Sequence, residues 1–387
     1  MGKVRNLDTF RIHRGWIVLL ALLASLWTAL CYAGSPGFSL KSSDENRIVL
    51  ELESSELEIQ AENIGGNLYS RLSMAGAASS AGEGSPDLPV YSGRVVIPAN
   101  ASYNISYECL NPRDYEVARP MPVLPESGRS LVLSEVYRES AEYPAEHVNS
   151  GGDGWLRDFR VLSLQVCPVA WEPIRARLRR FEKIRVFIEL SYPEGRATPY
   201  TSYSYAFKDV YEAQILNFGD YRNLVHGPSN SKVLIIHGEY NNAIFRAKLN
   251  EFIAWKRQKG FDVTVASTSV AGNSNVEIKA YIQSLYNNPE TRPDYIILVG
   301  DVTGNFPVPT WYEVESGYNG EGDDPYTKLC GNDDLVDAFI GRISAEDTSQ
   351  LGTILNKIYA YEKNVDNSTP AGDWLNRMLL IGDPFES

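Results

Sequence analysis

The hydrophobic pattern of the chain changes near Lys232, and this change divides the chain into two parts. Before that point apolar and polar residues alternate, as at Ile48, Leu50 and Leu52 and again from 184 to 190. A two-residue period predicts strands with one buried face. Clusters of Gly, Pro and Asn punctuate these strands, which favours a β-sandwich. We therefore predict a β-rich domain over residues 45–205, without a convincing helix.

After Lys232, short apolar strands alternate with helical stripes. The runs 233–236 and 295–299 are unbroken apolar segments, as expected for strands that are buried on both faces. Apolar residues between 244 and 253 recur at helical spacing, and Ser274 with Glu277 fits a capping box. Further short strands are predicted at 338–340 and 378–381, with a helix between them. This alternation predicts a parallel sheet with right-handed crossovers.

In such sheets the functional groups gather beyond the carboxyl ends of the strands. Those ends carry His237, Asp301 and the segment 382–386. Between the two parts, residues 206–231 are predicted to be a linker. Its end, from His226 to Ser231, has the composition of an exposed segment that suits proteolytic cutting.

The amino terminus has the pattern of a secretory signal. A basic lead is followed by an apolar run from Trp16 to Leu30, and the small residue Ala33 precedes Gly34. We expect residues 1–33 to be removed, leaving a secreted or cell-surface protein without a membrane segment. A retained membrane anchor is the alternative. A lipoprotein cut before Cys31 is disfavoured by the bulky residue ahead of it.

Charge and cysteine content exclude several classes of function. The net charge is −13, which disfavours a nucleic-acid partner because phosphate contact needs a basic face. The four cysteines are Cys31, Cys109, Cys167 and Cys330, too few and too scattered for a disulfide framework or a zinc site. The first strand of the second part is followed by no Gly-rich phosphate loop, so a nucleotide-binding domain is also disfavoured.

The order of segments after Lys232 resembles the gingipain-type cysteine peptidases, family C25 of the caspase-like clan. The segments that carry this resemblance are 252–256, 259–261, 278–282, 294–301, 331–333, 339–344 and 361–363. The β-rich part resembles the propeptide domain of the same family, most clearly at 84–89 and 159–189. The resemblance implies a β-sandwich prodomain followed by an incomplete α/β domain with a caspase-like parallel sheet, here residues 232–387.

The resemblance also implies chemistry and partners. The family uses a Cys thiolate, a His base and a thioester intermediate to cut proteins or peptides, and it needs no cofactor for this reaction. Its prodomain acts on its own peptidase domain as inhibitor or chaperone. The family's catalytic His and Cys lie further along than Ser387, so this portion is predicted to be inactive. Glu386, or alternatively Asp383, corresponds to an acid that orients the catalytic His.

Several alternatives remain open at this stage. Cys330 and His237 could form a dyad, although a buried thiol and a loop histidine are the simpler interpretation. Asp301, Asp324 and Asp333 are candidates for a structural calcium site, whereas a solvated acidic loop is the simpler interpretation. The whole protein could instead be a non-catalytic secreted or surface binding module with a degenerate peptidase-like domain.

A basic run also allows two interpretations. Residues 175–185 carry six Arg or Lys side chains within an acidic protein. This run could dock the prodomain onto the acidic second domain by charge complementarity, or it could be a solvated face of a strand.

Overall fold

A computed structural model of the protein describes residues 37–363, apart from short gaps at 80–81, 118, 126–129, 139–141, 194, 227–230 and 316–317. The predicted signal at 1–33, the predicted strand at 378–381, and the candidate residues Asp383 and Glu386 lie outside the described residues. Within these residues no helix is both long and apolar enough to cross a membrane.

The first part of the chain consists of strands. Their bounds are β1 Phe38–Ser43, β2 Arg47–Glu53, β3 Leu57–Ile64, β4 Asn67–Met74, β5 Ala78–Ser79, β6 Pro89–Val96, β7 Ser102–Glu116, β8 Val148–Leu156, β9 Phe159–Val166, β10 Val169–Glu172 and β11 Arg177–Ser191. A 3-10 turn at Glu135–Arg138 lies between β7 and β8. In the part of this region that the structure describes there is no α-helix, in agreement with the sequence pattern.

Two antiparallel sheets form a β-sandwich, as predicted. The long strand β11 is central to the first sheet: β7 pairs along one side, and β10 and then β2 pair along the other. The second sheet has the order β5-β6-β9-β8. Alternating residues of both sheets fill one core, for example Leu50 and Val186 from the first sheet, and Val95 and Leu164 from the second. The two-residue period therefore identified the buried face correctly.

The segment predicted as a linker is more ordered than its composition indicates. It holds α1 Lys208–Gln214 and β13 Val225–His226, and β13 pairs with β12 Ser202–Tyr203, which lies just before the segment. Tyr203, Phe207, Tyr211 and Phe218 are buried and surround Phe159 of β9. The sequence pattern missed this cluster because its aromatic residues follow neither a helical nor a strand period. Burial of large rings nevertheless holds the segment against the β-sandwich.

The second part of the chain alternates strands and helices. Their bounds are β14 Lys232–His237, α2 Ala243–Gln258, β15 Asp262–Ser267, α3 Thr268–Ala271, α4 Asn275–Tyr286, β16 Tyr295–Val299, β17 Trp311–Glu315, β18 Tyr318–Gly322, β19 Phe339–Ile343 and α5 Thr348–Lys363. The predicted capping box at Ser274 and Glu277 is present at the start of α4. The acidic segment that was predicted to be a loop contains the antiparallel hairpin β17–β18.

Among the described residues, four parallel strands form the sheet of this second part, in the order β15-β14-β16-β19. Ile235 of β14 packs toward α2 and α5 on one face. Its neighbour Ile236 packs toward α4 on the other face. Because both faces of the sheet are covered, the strands are continuous apolar runs in the sequence. This is the pattern that predicted a parallel sheet. The predicted architecture, a β-sandwich followed by a parallel α/β sheet, is confirmed.

Candidate functional site

The carboxyl-end edge of the parallel sheet is covered in its centre by the loop 300–308. The loop backbone lies so close that a Cβ on Gly238 would be 2.0 Å from the Phe306 carbonyl oxygen, and one on Gly300 would be 2.1 Å from it. Gly300 also has a φ of +139°, which side chains rarely adopt. The glycines that follow β14 and β16 are therefore required by this close approach, and the loop fixes the shape of the edge.

Asp301 organises that loop. Its Oδ1 accepts hydrogen bonds from the Val302 amide at 2.8 Å and from the Ser344 hydroxyl at 2.8 Å. Its backbone amide donates to Ala345 and its carbonyl accepts from Val308. Asp301 thus joins the ends of β16 and β19, and it lies at the end of a strand, where the sequence pattern placed it. The contacts seen in the structure are those of a residue that shapes the edge.

A second polar group lies at the same edge, beyond β14 and β15. The Ser267 and Ser269 hydroxyls are 2.6 Å apart, and Ser269 donates to Glu239 at 2.8 Å. These hydroxyls lower the pKa of Glu239, which is exposed. His237, the last residue of β14, donates from Nδ1 to the Gly238 carbonyl at 2.9 Å. The sequence identified His237 here, but it gave no sign of the Ser–Ser–Glu chain beside it.

The structure separates Cys330 from His237. The Cys330 amide donates to Asp337, which lies just before β19 and therefore at the amino-end edge of the sheet. His237 is at the carboxyl-end edge, where it pairs with Val299. The five steps between the six residues of β14, at about 3.3 Å each, place the two edges roughly 16 Å apart. Burial also raises the pKa of the Cys330 thiol. The alternative of a Cys330–His237 dyad is therefore wrong.

A different Cys–His neighbourhood occurs in the β-sandwich, and the sequence analysis missed it. The His147 ring donates from Nδ1 to the Cys167 carbonyl at 2.8 Å. The Cys167 thiol, however, points to the Val169 carbonyl, and burial raises its pKa to about 12. A thiol that stays protonated is a poor nucleophile. This pair is part of the core and has the geometry of a structural contact.

The three calcium candidates belong to three separate networks. Asp301 is at the carboxyl-end edge, as described above. Asp324 forms an ion pair with Lys328 at 2.8 Å. Asp333 accepts from the amides of Trp155 and Leu335. Among the residues that the structure describes, no group of three or more His, Cys, Asp or Glu side chains is placed to hold a metal ion. Structural calcium stays a prediction.

Asp323, in the same acidic segment, has a clear structural role. Both of its oxygens receive the Arg342 guanidinium, at 2.8 and 2.7 Å. Arg342 also donates to the carbonyls of Gly300 and Val308, at 2.9 and 2.8 Å. A planar bidentate pair of this kind fixes geometry strongly. Arg342 thereby ties the β17–β18 hairpin to the edge loop. A lone Arg within the apolar strand β19 was the signal that could have revealed it.

The basic run of β11 serves its own sheet. Arg177 and Arg179 pair with Asp114 of β7, at 3.1 and 3.0 Å. Arg185 pairs with Glu51 of β2 at 2.8 Å. These cross-strand pairs neutralise the run within the β-sandwich. The hypothesis that this run docks the prodomain onto the second domain is therefore wrong.

The two parts of the chain are nevertheless in direct contact. Phe207 of the connecting segment stacks on Phe339 of β19, with ring centroids 4.4 Å apart. Arg157, at the turn between β8 and β9, forms an ion pair with Asp294 at 2.7 Å. Both contacts fall at the amino-end edge of the sheet, opposite Asp301 and His237.

Comparison with known proteins agrees with this two-part organisation. The model of the C25 propeptide matches residues 31–225, half of the chain, and the model of peptidase family C25 matches residues 226–386. The chain belongs to peptidase family C25. The order, propeptide first and peptidase second, is the order of the β-sandwich and the parallel sheet. The resemblance stated from the sequence is confirmed.

The curated relatives of this C25 protein are gingipains of Porphyromonas gingivalis. Lys-gingipain W83 is 24% identical over 401 residues, which cover 94% of this chain and 22% of the relative. Gingipain R2 is 23% identical over 312 residues, which cover 77% of this chain and 40% of the relative. The chain thus spans well under two thirds of the length of either relative.

Two solved structures are also similar to this C25 protein. A complex of the pro- and mature domains of P. gingivalis RgpB matches with a TM-score of 0.41 and 17% identity, over 48% of this chain and 99% of that chain. A structure of gingipain K, described for its zymogenic latency, matches with a TM-score of 0.36 and 16% identity, over 40% of this chain and 92% of that chain.

Proposed function

We propose that this C25 protein is the precursor form of a secreted, gingipain-like cysteine endopeptidase. The observation that carries the proposal is the tandem match to a C25 propeptide and a C25 peptidase, on two domains that contact each other. In this reaction class a Cys thiolate attacks the peptide carbonyl carbon. The leaving amine takes a proton from the His, and water then hydrolyses the thioester.

The β-sandwich would be the prodomain. The peptidase domain would act on protein or peptide substrates. We further propose that the 387-residue chain has no thiol peptidase activity of its own. The environment of each described cysteine supports this. Burial raises the pKa of Cys109 to about 11 and of Cys167 to about 12, and Cys330 lies at the opposite edge of the sheet from His237. None of these thiols has the electropositive, accessible setting of a nucleophile.

The test of inactivity uses the purified chain and a mixture of fluorogenic peptides, with and without a thiol-alkylating reagent. We expect no alkylation-sensitive hydrolysis, and Cys330→Ala should behave like the unchanged chain. Thiol-dependent hydrolysis that disappears in Cys330→Ala would overturn this part of the proposal.

The positive test concerns the gene. An in-frame continuation past Ser387 that encodes a His-Gly and then a Cys at later strand ends would support the peptidase. Expression of that longer chain should give alkylation-sensitive cleavage of peptides. A stop codon after Ser387 would favour the non-catalytic binding module instead.

Secretion is supported by the basic lead and apolar run of residues 1–33. Amino-terminal sequencing of the protein from culture medium or the cell surface should find a chain that begins near Gly34. Recovery only inside the cell, with Met1 or residue 2 at the amino terminus, would contradict it.

A further inference from the structure

The turn between β8 and β9 projects from the β-sandwich toward the second domain. Leu156 pairs with Phe159, so Arg157 and Asp158 alone form the turn. Arg157 has a φ of +52°, an uncommon value for a residue with a side chain. Its backbone amide donates to Asp337 Oδ1 at 2.9 Å. The unusual backbone conformation therefore coincides with a hydrogen bond that crosses from one domain to the other.

The side chain of Arg157 is buried in the second domain. It is 5% exposed. Nη2 donates to Asp294 Oδ1 at 2.7 Å, and Nη1 donates to the carbonyls of Pro293 at 2.9 Å and Asp337 at 2.5 Å. The guanidinium also lies 5.1 Å from the ring centre of Phe207 and 5.9 Å from that of Tyr286. The guanidinium thus occupies a pocket in which aromatic rings lie beside it and carboxylate and carbonyl oxygens accept its hydrogen bonds.

The acidic side of the contact is buried as well. Asp337 is 0% exposed and Asp294 is 7% exposed. Asp337 Oδ2 accepts from the amides of Leu329 and Cys330, so two consecutive backbone amides of the second domain hold the carboxylate in place. Asp294 Oδ2 accepts from the Lys232 amide at 2.7 Å. Removing Arg157 would leave Asp294 without its buried counter-ion, which is strongly unfavourable.

The connecting segment contributes to the same contact. Ser204 donates from Oγ to Asp294 Oδ1 at 2.6 Å, and its amide donates to Asp158 Oδ2 at 2.7 Å. Tyr211 also donates to Asp158 Oδ2, at 2.9 Å. The turn is thus held from both sides, by the connecting segment and by the second domain. Ser204, Tyr211 and Asp158 precede 227–230, so they would stay with the β-sandwich after a cut there, whereas Asp294 would stay with the second domain.

The position of the contact in the fold is informative. Asp294 directly precedes β16, and Asp337 lies two residues before β19. Both are therefore at the amino-end edge of the parallel sheet. His237, Glu239 and Asp301 lie at the carboxyl-end edge, where sheets of this kind place functional groups. A contact at the amino-end edge can hold the β-sandwich without covering those groups.

We infer that the amino-end edge of the parallel sheet is the docking surface for the β-sandwich, and that Arg157 is its anchor. The contact is independent of the covalent connection, so the two domains stay associated when the chain is cut at 227–230. The inference rests on the proposed function only in naming the β-sandwich a prodomain. Its test measures association and not peptide hydrolysis, so each can fail without the other.

The experiment uses the full chain with a recognition sequence for a specific protease placed at 227–230. The purified chain is cut to completion and analysed by size-exclusion chromatography, with the dissociation constant measured by dilution. We expect the two fragments of the unchanged chain to elute together. In Arg157→Ala the dissociation constant should rise on the order of 100-fold or more, because a buried carboxylate loses its partner.

Arg160→Ala is the matched control. Arg160 lies in the same hairpin, but it binds Asp153 and the carbonyls of Ala99 and Ala101, all within the β-sandwich. Its dissociation constant should equal that of the unchanged chain. If Arg157→Ala aggregates before cutting, Arg157→Lys is used instead, because it keeps the charge but lacks the planar set of N–H donors. Its dissociation constant should rise at least tenfold. Separation of the unchanged fragments, or equal affinity of the Arg157 and Arg160 variants, would overturn the inference.

Discussion

The polar groups at the two edges of the parallel sheet differ in burial and pairing. At the amino-end edge, Arg157, Asp294 and Asp337 are buried and paired across a domain boundary. At the carboxyl-end edge, Glu239 and Ser344 are exposed, and Asp301 is only partly buried. A buried charge is costly unless it is paired, so the first edge depends on its partner domain. The polar groups of the second edge are not buried against the partner domain, and Glu239 and Ser344 are exposed.

The largest effect should come from removing the acidic half of the buried pair. Asp294→Ala removes the counter-ion that hydrogen-bonds the buried Arg157 guanidinium and leaves only the more distant Asp158, 3.8 Å from Nε. It should lower the free energy of unfolding by about 3–5 kcal/mol. Urea titration followed by circular dichroism measures this. Asp153→Ala, which removes the partner of Arg160 in the same hairpin, should cost only about 1 kcal/mol. Equal losses of unfolding free energy in the two variants would show that the amino-end edge does not depend on its buried ion pair.

The next effect concerns the carboxyl-end edge, where backbone packing and not charge sets the structure. Gly238→Ala places a Cβ 2.0 Å from the Phe306 carbonyl oxygen. The loop must shift, at a cost of about 1–3 kcal/mol. Gly341→Ala is the control, because a Cβ there meets nothing within 4 Å. Urea titration of both variants should separate them, and an unchanged Gly238→Ala would mean that the loop does not lie against the edge.

The stability that Asp337 contributes at the amino-end edge should depend on pH. Burial raises the pKa of Asp337 from its ordinary value of 3.8 to about 6, and the nearby Asp333 adds to the rise. Because the folded-state pKa is the higher one, the contribution of this group to stability is complete below about pH 4. It is lost as the pH rises through about 6.

Asp337→Asn removes this titration. The difference in unfolding free energy between the unchanged chain and the variant should therefore fall by on the order of 2 kcal/mol between pH 4.5 and pH 7.5. Urea titrations at several pH values measure it. A constant difference over that range would mean that Asp337 is not buried as described.

The smallest effect should come from an exposed ion pair of the acidic segment. Asp334 pairs with Lys328 at 2.9 Å, but its side chain is 97% exposed. Exposed pairs of long side chains contribute little. Asp334→Ala should leave the urea midpoint unchanged within error. A clear loss would show that charge outside the buried edge also stabilises the domain.

The sequence predicted the parts of the fold that follow a period. The alternation at Ile48, Leu50 and Leu52 and the apolar run of β14 gave both sheet types, because burial on one or both faces imposes the pattern directly. The capping box at Ser274 and the edge position of Asp301 were also predictable. Each depends on residues that are close together in the chain or on the direction of a strand.

The contact between the domains could not be predicted in this way. Arg157 and Asp294 are 137 residues apart, and nothing in the local sequence around Arg157 marks it as buried. The dense basic run at 175–185 was the docking candidate that the sequence offered, with a solvated strand face as the other interpretation. Its partners Asp114 and Glu51 come from strands whose pairing with β11 is visible only in three dimensions. Charge content alone therefore pointed to the wrong arginines.

The most direct test of the account is a double-mutant cycle between Arg157 and Asp294 in the intact chain. Unfolding free energies of Arg157→Ala, Asp294→Ala and the double variant are compared with the unchanged chain. If the two side chains stabilise each other across the domain boundary, the double variant should lose about 2–3 kcal/mol less than the sum of the single variants. Additivity within about 0.5 kcal/mol would contradict the docking of the β-sandwich at the amino-end edge.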